Sequence, residues 1–288
     1  MLRCAARGAL CHRTNPGRNE FALSQTTKLE ELRSEARRLA GNIDRVGIVE
    51  SCFGFVPDAK QCEVLRCGSS RLLLCCSRQW GKSSTAAALA AVRALTQPGS
   101  LVLCVSPTLR QSGEFLRKVS GFLRVAGEKF SGGRLAIYLP NGSRVVALPG
   151  QEANVRGFSA PSLIVIDEAA RVEDSLYQAM RPMLVVGRGD LALISTPFGE
   201  RGFFWKEWVA GGERWTRIEV KATECSRISA EVLEEERESQ SAEWFAQEYL
   251  CSFVGMENQA FRTEWLEAAR REGLGVTALA FELKGRVR

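Results

Sequence analysis

The sequence predicts an α/β fold with a mostly parallel central sheet flanked by helices. One pattern carries the prediction. Short, continuously apolar runs alternate with segments of helical spacing along most of the chain, and strands that are apolar on both faces belong in a sheet covered on both sides. At 288 residues, 45% hydrophobic and 25% charged, the chain can bury one large core or two modest ones. Its apolar runs, such as "LIVI" and "LVLCV", fall well short of the roughly 18 to 20 residues of a membrane-spanning helix, so no membrane partner is expected.

The elements follow in order. Residues 1–25 open with Arg3, Arg7, Arg13 and Arg18 and no acid before Glu20; they superficially resemble a transit peptide and are expected to be a disordered basic arm or the product of a misplaced start codon. Leu29, Leu32, Ala36 and Leu39 recur at helical spacing and predict a surface helix over 26–40. Strand-helix pairs come next: "RLLLCC" and 83–95, "LVLCV" and 111–126, "LIVID" and 173–183, "LALIS" and 201–209. One interruption, "LAIYLPNGSRVVAL", places Asn141-Gly142 between two alternating runs, which predicts an antiparallel hairpin at a sheet edge. Residues 230–251 are helical and acidic, with Trp244, Phe245 and Tyr249 available to pack a small helical C-terminal lid. The boundaries expected are an arm over 1–25, a main domain over 26–222, a lid or linker over 223–260 and a short tail over 261–288.

The net charge of +6 and an isoelectric point near 8.9 suit an anionic partner such as nucleic acid. Ten cysteines invite a metal or disulfide reading. Cys75, Cys76 and Cys104 fall in the predicted buried strands, no C-x-x-C pair occurs, and His12 is the one histidine. Reduced, buried thiols of a cytosolic protein fit this usage better than zinc.

The chemistry starts at "CCSRQWGKSS", residues 75–84. A Gly-Lys-Ser between an apolar strand and a helix is the pattern of a phosphate-cradling loop: backbone N–H groups surround a β-phosphate, the lysine reaches the β- and γ-phosphates, and the hydroxyl ligates Mg²⁺. Here those two are Lys82 and Ser83, although Cys76 stands where the usual pattern has its first glycine. The second motif, "LIVIDEAARV", ends an apolar strand on Asp167 and Glu168. A buried acid is costly without a cation, which a Mg²⁺ on the nucleotide would supply. Glu168 then stands about one water from the γ-phosphate, placed to deprotonate the attacking water. Together the two motifs predict ATP hydrolysis with ATP and Mg²⁺ bound.

"GFVPDAKQCEVLR", "CCSRQWGKSS", "VSPTLRQSGEFLRKV", "ANVRGFSAPSLIVIDEAARV" and "LISTPFGERGFFWKEW" resemble, in order and spacing, the ATPase motor of the large terminase subunit of tailed bacteriophages, over roughly residues 50 to 255. The resemblance implies a P-loop NTPase of the ASCE type. It implies that Ser77, Arg78, Gln79, Gly81, Lys82, Ser83 and Ser84 line the nucleotide, with Arg78 over the phosphates as a cis-acting charge. Gln61 would read adenine, and Arg156, eleven residues before Asp167, would enter a neighbouring subunit's site as a finger. The alternative reading of Arg156 is a hairpin-exit arginine touching DNA or solvent. Ser195 and Thr196 match a coupling motif that senses the γ-phosphate; otherwise a Ser-Thr-Pro after a strand is a turn.

The partners implied are double-stranded DNA, the portal protein, the small terminase subunit and other copies of the chain in a ring on the portal, in the cytoplasm of a bacterial host and transiently on the procapsid. Large terminases also carry a nuclease domain that needs clustered aspartates for two metals. This sequence has no aspartate after Asp190, so nuclease activity is not expected in this chain. Two other readings stay open: a truncated or inactive prophage remnant that binds ATP without turnover, and a helicase-like ATPase, against which the lack of a second motor half argues.

Overall fold

A computed structural model of the chain describes residues 43–150, 155 and 157–255. The basic arm, the helix expected over 26–40, Arg156 and the tail lie outside the described residues. Helices α1 (Arg45–Phe53) and α2 (Ala59–Arg66) lead into strand β1 (Arg71–Cys76) and helix α3 (Lys82–Thr96). Strand β2 (Leu101–Ser106), helix α4 (Leu109–Val125) and three strands on one side of the sheet, β3 (Ser131–Gly132), β4 (Ala136–Tyr138) and β5 (Arg144–Pro149), follow. Then come β6 (Leu163–Asp167), a 3-10 turn at Ala169–Arg171, α5 (Asp174–Gly187), β7 (Asp190–Ser195), α6 (Gly202–Ala210) and β8 (Thr216–Val220). Helices α7 (Ala230–Ser239) and α8 (Ala242–Leu250) close the described chain.

The eight strands form one sheet in the order β3-β4-β5-β2-β6-β7-β1-β8. From β5 to β8 every pairing is parallel, while β3, β4 and β5 pair antiparallel. The strands are apolar throughout because alternate residues enter different cores. Leu72, Leu74, Cys76, Val102, Cys104, Val165 and Ile194 pack with α1 to α4. Leu73, Cys75, Leu103, Ile164, Ile166 and Leu193 pack with α5 and α6.

The predicted hairpin is present, and its turn is tied to the neighbouring helix. Gly142 takes φ +80°, a value glycine adopts without strain. Asn141 Nδ2 donates to the carbonyls of Ala94 (2.8 Å) and Leu95 (3.3 Å), satisfying groups at the end of α3 that the helix leaves unpaired. Helix α4 begins at Leu109 rather than 111 because Thr108 and Gln111 form a capping box. Helix α5 runs past Pro182 to Gly187; the buried Leu184 keeps that last turn on the core despite the donor the proline removes.

Two features differ from the expectation. Strand β8 carries no continuous apolar run: only Ile218 and Val220 of "TRIEV" are buried, as befits a sheet-edge strand packed on one side. The stretch over 230–251 is two helices, because Ser241 caps α8 by accepting from the Trp244 N–H at 3.2 Å.

Candidate active site

Three strand ends meet on one edge of the sheet. In the parallel register Cys75 is level with Ser195 and Asp167 with Ile194, so the loop after β1, the acids ending β6 and the Ser-Thr ending β7 project together. Strand β7 lies between the loop strand and the acid strand.

The loop's bulky residues fit for separate reasons. Cys76 is the last residue of β1 and fully buried, so the missing glycine costs no loop conformation. Trp80 turns down into the core and is also fully buried. Gln79 (φ +64°) and Gly81 (φ +97°) supply the left-handed turns that bend the chain into α3. A Cβ on Gly81 would meet Gln61 Nε2 at 2.9 Å. Ser84 N–H and Thr85 N–H both donate to the Gly81 carbonyl at 3.0 Å, starting the helix whose N-terminus faces the site.

Ser83 Oγ donates to Asp167 Oδ2 at 2.9 Å. Lys82 Nζ lies 2.9 Å from Glu168 Oε1 and donates to Thr196 Oγ1 at 3.0 Å. Glu168 sits in the left-handed region (φ 56°, ψ 42°), an uncommon state for a glutamate that is concentrated at functional sites. Burial pushes the Lys82 ammonium down, but Glu168, with Cys76 and Asp167, offsets it and the group ends above the ordinary lysine value. Burial, then the Glu168 charge, push the Asp167 carboxyl above the usual aspartate value against the pull of Lys82 and the Ser83 hydroxyl. A buried carboxylate beside a serine hydroxyl is a hard oxygen donor pair that suits Mg²⁺, which takes few protein ligands and completes its shell with phosphate and water.

Around this centre, Arg78 Nε pairs with Glu248 Oε2 of α8 at 2.8 Å, and its guanidinium lies 5.8 Å from the Trp244 ring centroid. Arg78 N–H also donates to the Glu248 carbonyl at 2.9 Å. Ser77 is fully buried, and its N–H donates to the Val220 carbonyl at 2.9 Å. Gln61 is buried with both ends of its amide engaged: Oε1 accepts from Asp58 N–H at 3.0 Å and Nε2 donates to the Trp80 carbonyl at 3.3 Å. Ser195 and Thr196 divide the labour. Thr196 faces Lys82, whereas Ser195 Oγ accepts from Ala170 N–H at 3.1 Å and steadies the turn after Glu168.

Lys82, Ser83, Asp167, Glu168 and Thr196 therefore converge, with Arg78 at the rim and Gln61 beneath the loop. Sequence reasoning did not single out Arg171 or Glu248. Arg171 Nη2 donates to Glu248 Oε1 at 3.4 Å, and its Nε lies 3.9 Å from Glu168 Oε2. Glu248 is buried in an acidic stretch where no spacing marks it out; Arg171, four residues after Asp167, could have been found by proximity to the motif.

A parallel sheet with a phosphate-type loop on one strand, an acidic pair on another and a further strand between them defines the ASCE class of P-loop NTPase fold. Residues 73–268 match the family described as terminase large subunit, T4likevirus-type, N-terminal, and the chain belongs to that family. It is similar to the large terminase subunit of Escherichia phage T5, 29% identical over 200 residues, which cover 66% of this chain and 45% of that protein. It is also similar to the large terminase subunit of Thermus virus P23-45, 29% identical over 174 residues, covering 53% of this chain and 36% of that one. The chain thus spans less than half the length of these relatives. Among solved structures, the large terminase ATPase domain of Thermus phage P74-26 superposes with a TM-score of 0.66 at 22% identity, over 74% of this chain and all of that one.

Proposed function

We propose that the chain is the ATP-hydrolysing part of a phage or prophage DNA-packaging motor, which moves double-stranded DNA into a procapsid. The observation that carries this reading is the convergence of Lys82, Glu168 and Thr196 within 3.0 Å contacts beside the Ser83–Asp167 pair. The family supports it, and so does a fold neighbour, a large terminase from a thermophilic bacteriophage solved in complex with ADP, with a TM-score of 0.55 and 14% identity over 65% of this chain and 49% of that one.

Lys82 leaves Glu168 for the β- and γ-phosphates, and the loop of Ser77, Arg78, Gln79, Gly81 and Ser84 wraps them; the N–H groups of Ser77, Arg78 and Ser84 hold that loop through the carbonyls of Val220, Glu248 and Gly81, and those of Gln79 and Gly81 turn to phosphate. Ser83 and Asp167 would hold Mg²⁺, which when bound neutralises phosphate charge. Glu168 takes a proton from the attacking water as its oxygen bonds to the γ-phosphorus and the bond to the ADP oxygen breaks. Arg78 neutralises charge on the transferring group from within the subunit, and Arg156 does so from a neighbouring one. Gln61 reads adenine in this proposal, which requires its amide to leave both Asp58 N–H and the Trp80 carbonyl. Thr196, already bonded to Lys82, registers loss of the γ-phosphate and passes it to the lid over 223–260. The full assembly would include the portal, the small terminase subunit and a ring of copies in the host cytoplasm.

The test is ATP hydrolysis by the purified chain with and without linear duplex DNA. Turnover that DNA stimulates and Lys82→Ala abolishes is the expected result; no hydrolysis under either condition would refute the reading.

A further inference from the structure

Five charged groups at the site form a chain of alternating sign: Arg78, Glu248, Arg171, Glu168 and Lys82. Its links are 2.8 Å from Arg78 Nε to Glu248 Oε2, 3.4 Å from Glu248 Oε1 to Arg171 Nη2, 3.9 Å from Arg171 Nε to Glu168 Oε2 and 2.9 Å from Glu168 Oε1 to Lys82 Nζ. Hydrolysis as read above removes both ends of this chain, since Lys82 and Arg78 both turn to the phosphates. What then orients Glu168? Among the described residues its ion-pair partners are Lys82 and Arg171. Arg171 is the cation that stays.

Arg171 is built to stay in place. Its guanidinium lies 4.1 Å from the ring centroid of Phe198, which is itself approached by Arg201 at 4.3 Å. A planar guanidinium stacked on a ring loses little freedom when it forms a further ion pair. Its other partner, Glu248, is almost wholly buried, and a buried carboxylate needs a cation. When Arg78 departs, Arg171 is the cation left to Glu248 among the described residues. The same helix fixes the Phe198 loop, because Gln247 Oε1 accepts from Gly199 N–H at 2.9 Å.

We propose that Arg171 is a positioning residue for Glu168, holding its carboxylate toward the attacking water once Lys82 has turned to the phosphates, and that Glu248 of α8 holds Arg171. The proposal rests on the hydrolytic reading and adds a residue to it. Arg171 pairs with Glu168 and Glu248, so its effect on the reaction runs through the Glu168 carboxylate. Helix α8 thereby senses Arg78 and steadies Glu168 through one side chain.

The experiment measures steady-state ATP hydrolysis by the full chain. Arg171→Ala should lower kcat by about 10- to 100-fold, the cost of a misplaced reacting group, with KM for ATP changed less than about twofold, because the loop that binds phosphate is untouched. Arg171→Lys should recover part of the loss, and Glu248→Gln should lower kcat in the same direction. In a Glu168→Gln background Arg171→Ala should cost nothing further, since the carboxylate it positions is gone. If Arg171→Ala does not fold, as judged by its thermal unfolding transition, Arg171→Gln serves in its place with the same expectation. The proposal is overturned if kcat is unchanged, if KM rises alone, or if the residual rate of the Glu168→Gln chain falls further. A wild-type chain without turnover would bring down both readings; an active wild type indifferent to Arg171 would bring down this one alone.

Discussion

At the scale of single residues, the loop shows how a phosphate-binding turn can be built from large side chains. Backbone geometry, and not residue size, is what a phosphate cradle requires. Trp80 satisfies this by leaving the loop altogether for the core, where it is fully buried. Arg78 points the other way and is held at the rim by Glu248. Gln79 and Glu168 both take left-handed backbone; at Glu168 this costs on the order of 1 to 3 kcal/mol and is held by the Ala170 N–H bond to Ser195. That strain sits on the residue that activates water in the proposed reaction.

At the scale of elements, the sheet sets the site by keeping three strand ends level, and a polar cluster behind it locks two helices together. Glu207 of α6 accepts from Tyr177 of α5 at 2.9 Å, from Arg214 at 2.8 Å and from Trp215 at 2.7 Å. Burial pushes its carboxyl up, but the hydrogen bonds from Arg214, Trp215 and Tyr177 outweigh it and the group ends below its ordinary value of 4.5. A carboxyl lowered in the folded state contributes stability that is present above its unfolded value and is lost as pH falls through the folded one. The melting temperature should therefore drop as pH falls below about 4.5, and Glu207→Gln should flatten this drop while lowering stability at neutral pH by about 1 to 3 kcal/mol. An unchanged acid profile in that variant would remove Glu207 from the account.

Much of this architecture was legible. Continuous apolar strands announce burial on both faces, and Asn141-Gly142 announces its own turn. Strand β8 was not, because an edge strand buried on one face alternates with charge and reads like a loop. Lys82, Ser83, Asp167 and Glu168 are readable because strand, loop and helix fix their spacing in sequence. Arg171 and Glu248 come together only through tertiary packing of α8, 77 residues apart, and no local pattern records that.

At the scale of the whole molecule, the proposed motor acts through contacts between copies. Arg156 lies outside the described residues, and its trans role is a reading of the "NVRGF" motif. A trans arginine contributes on the order of 10³ to 10⁵ in rate. Arg156→Ala and Arg78→Ala chains should each be inactive when assembled, yet a mixture should regain part of the activity, since some interfaces then pair an intact Arg78 with an intact Arg156. A mixture as inactive as either variant, where wild-type chains assemble, would assign Arg156 to its own subunit or to DNA. Beneath all of this lies one claim, that Lys82 binds the phosphates while Glu168 activates the water. The most direct measurement is ATP affinity and single-turnover hydrolysis for Glu168→Gln beside the wild-type chain. Wild-type-like binding with hydrolysis slowed about 10²- to 10⁴-fold is expected; near-normal hydrolysis by the variant would contradict these two roles.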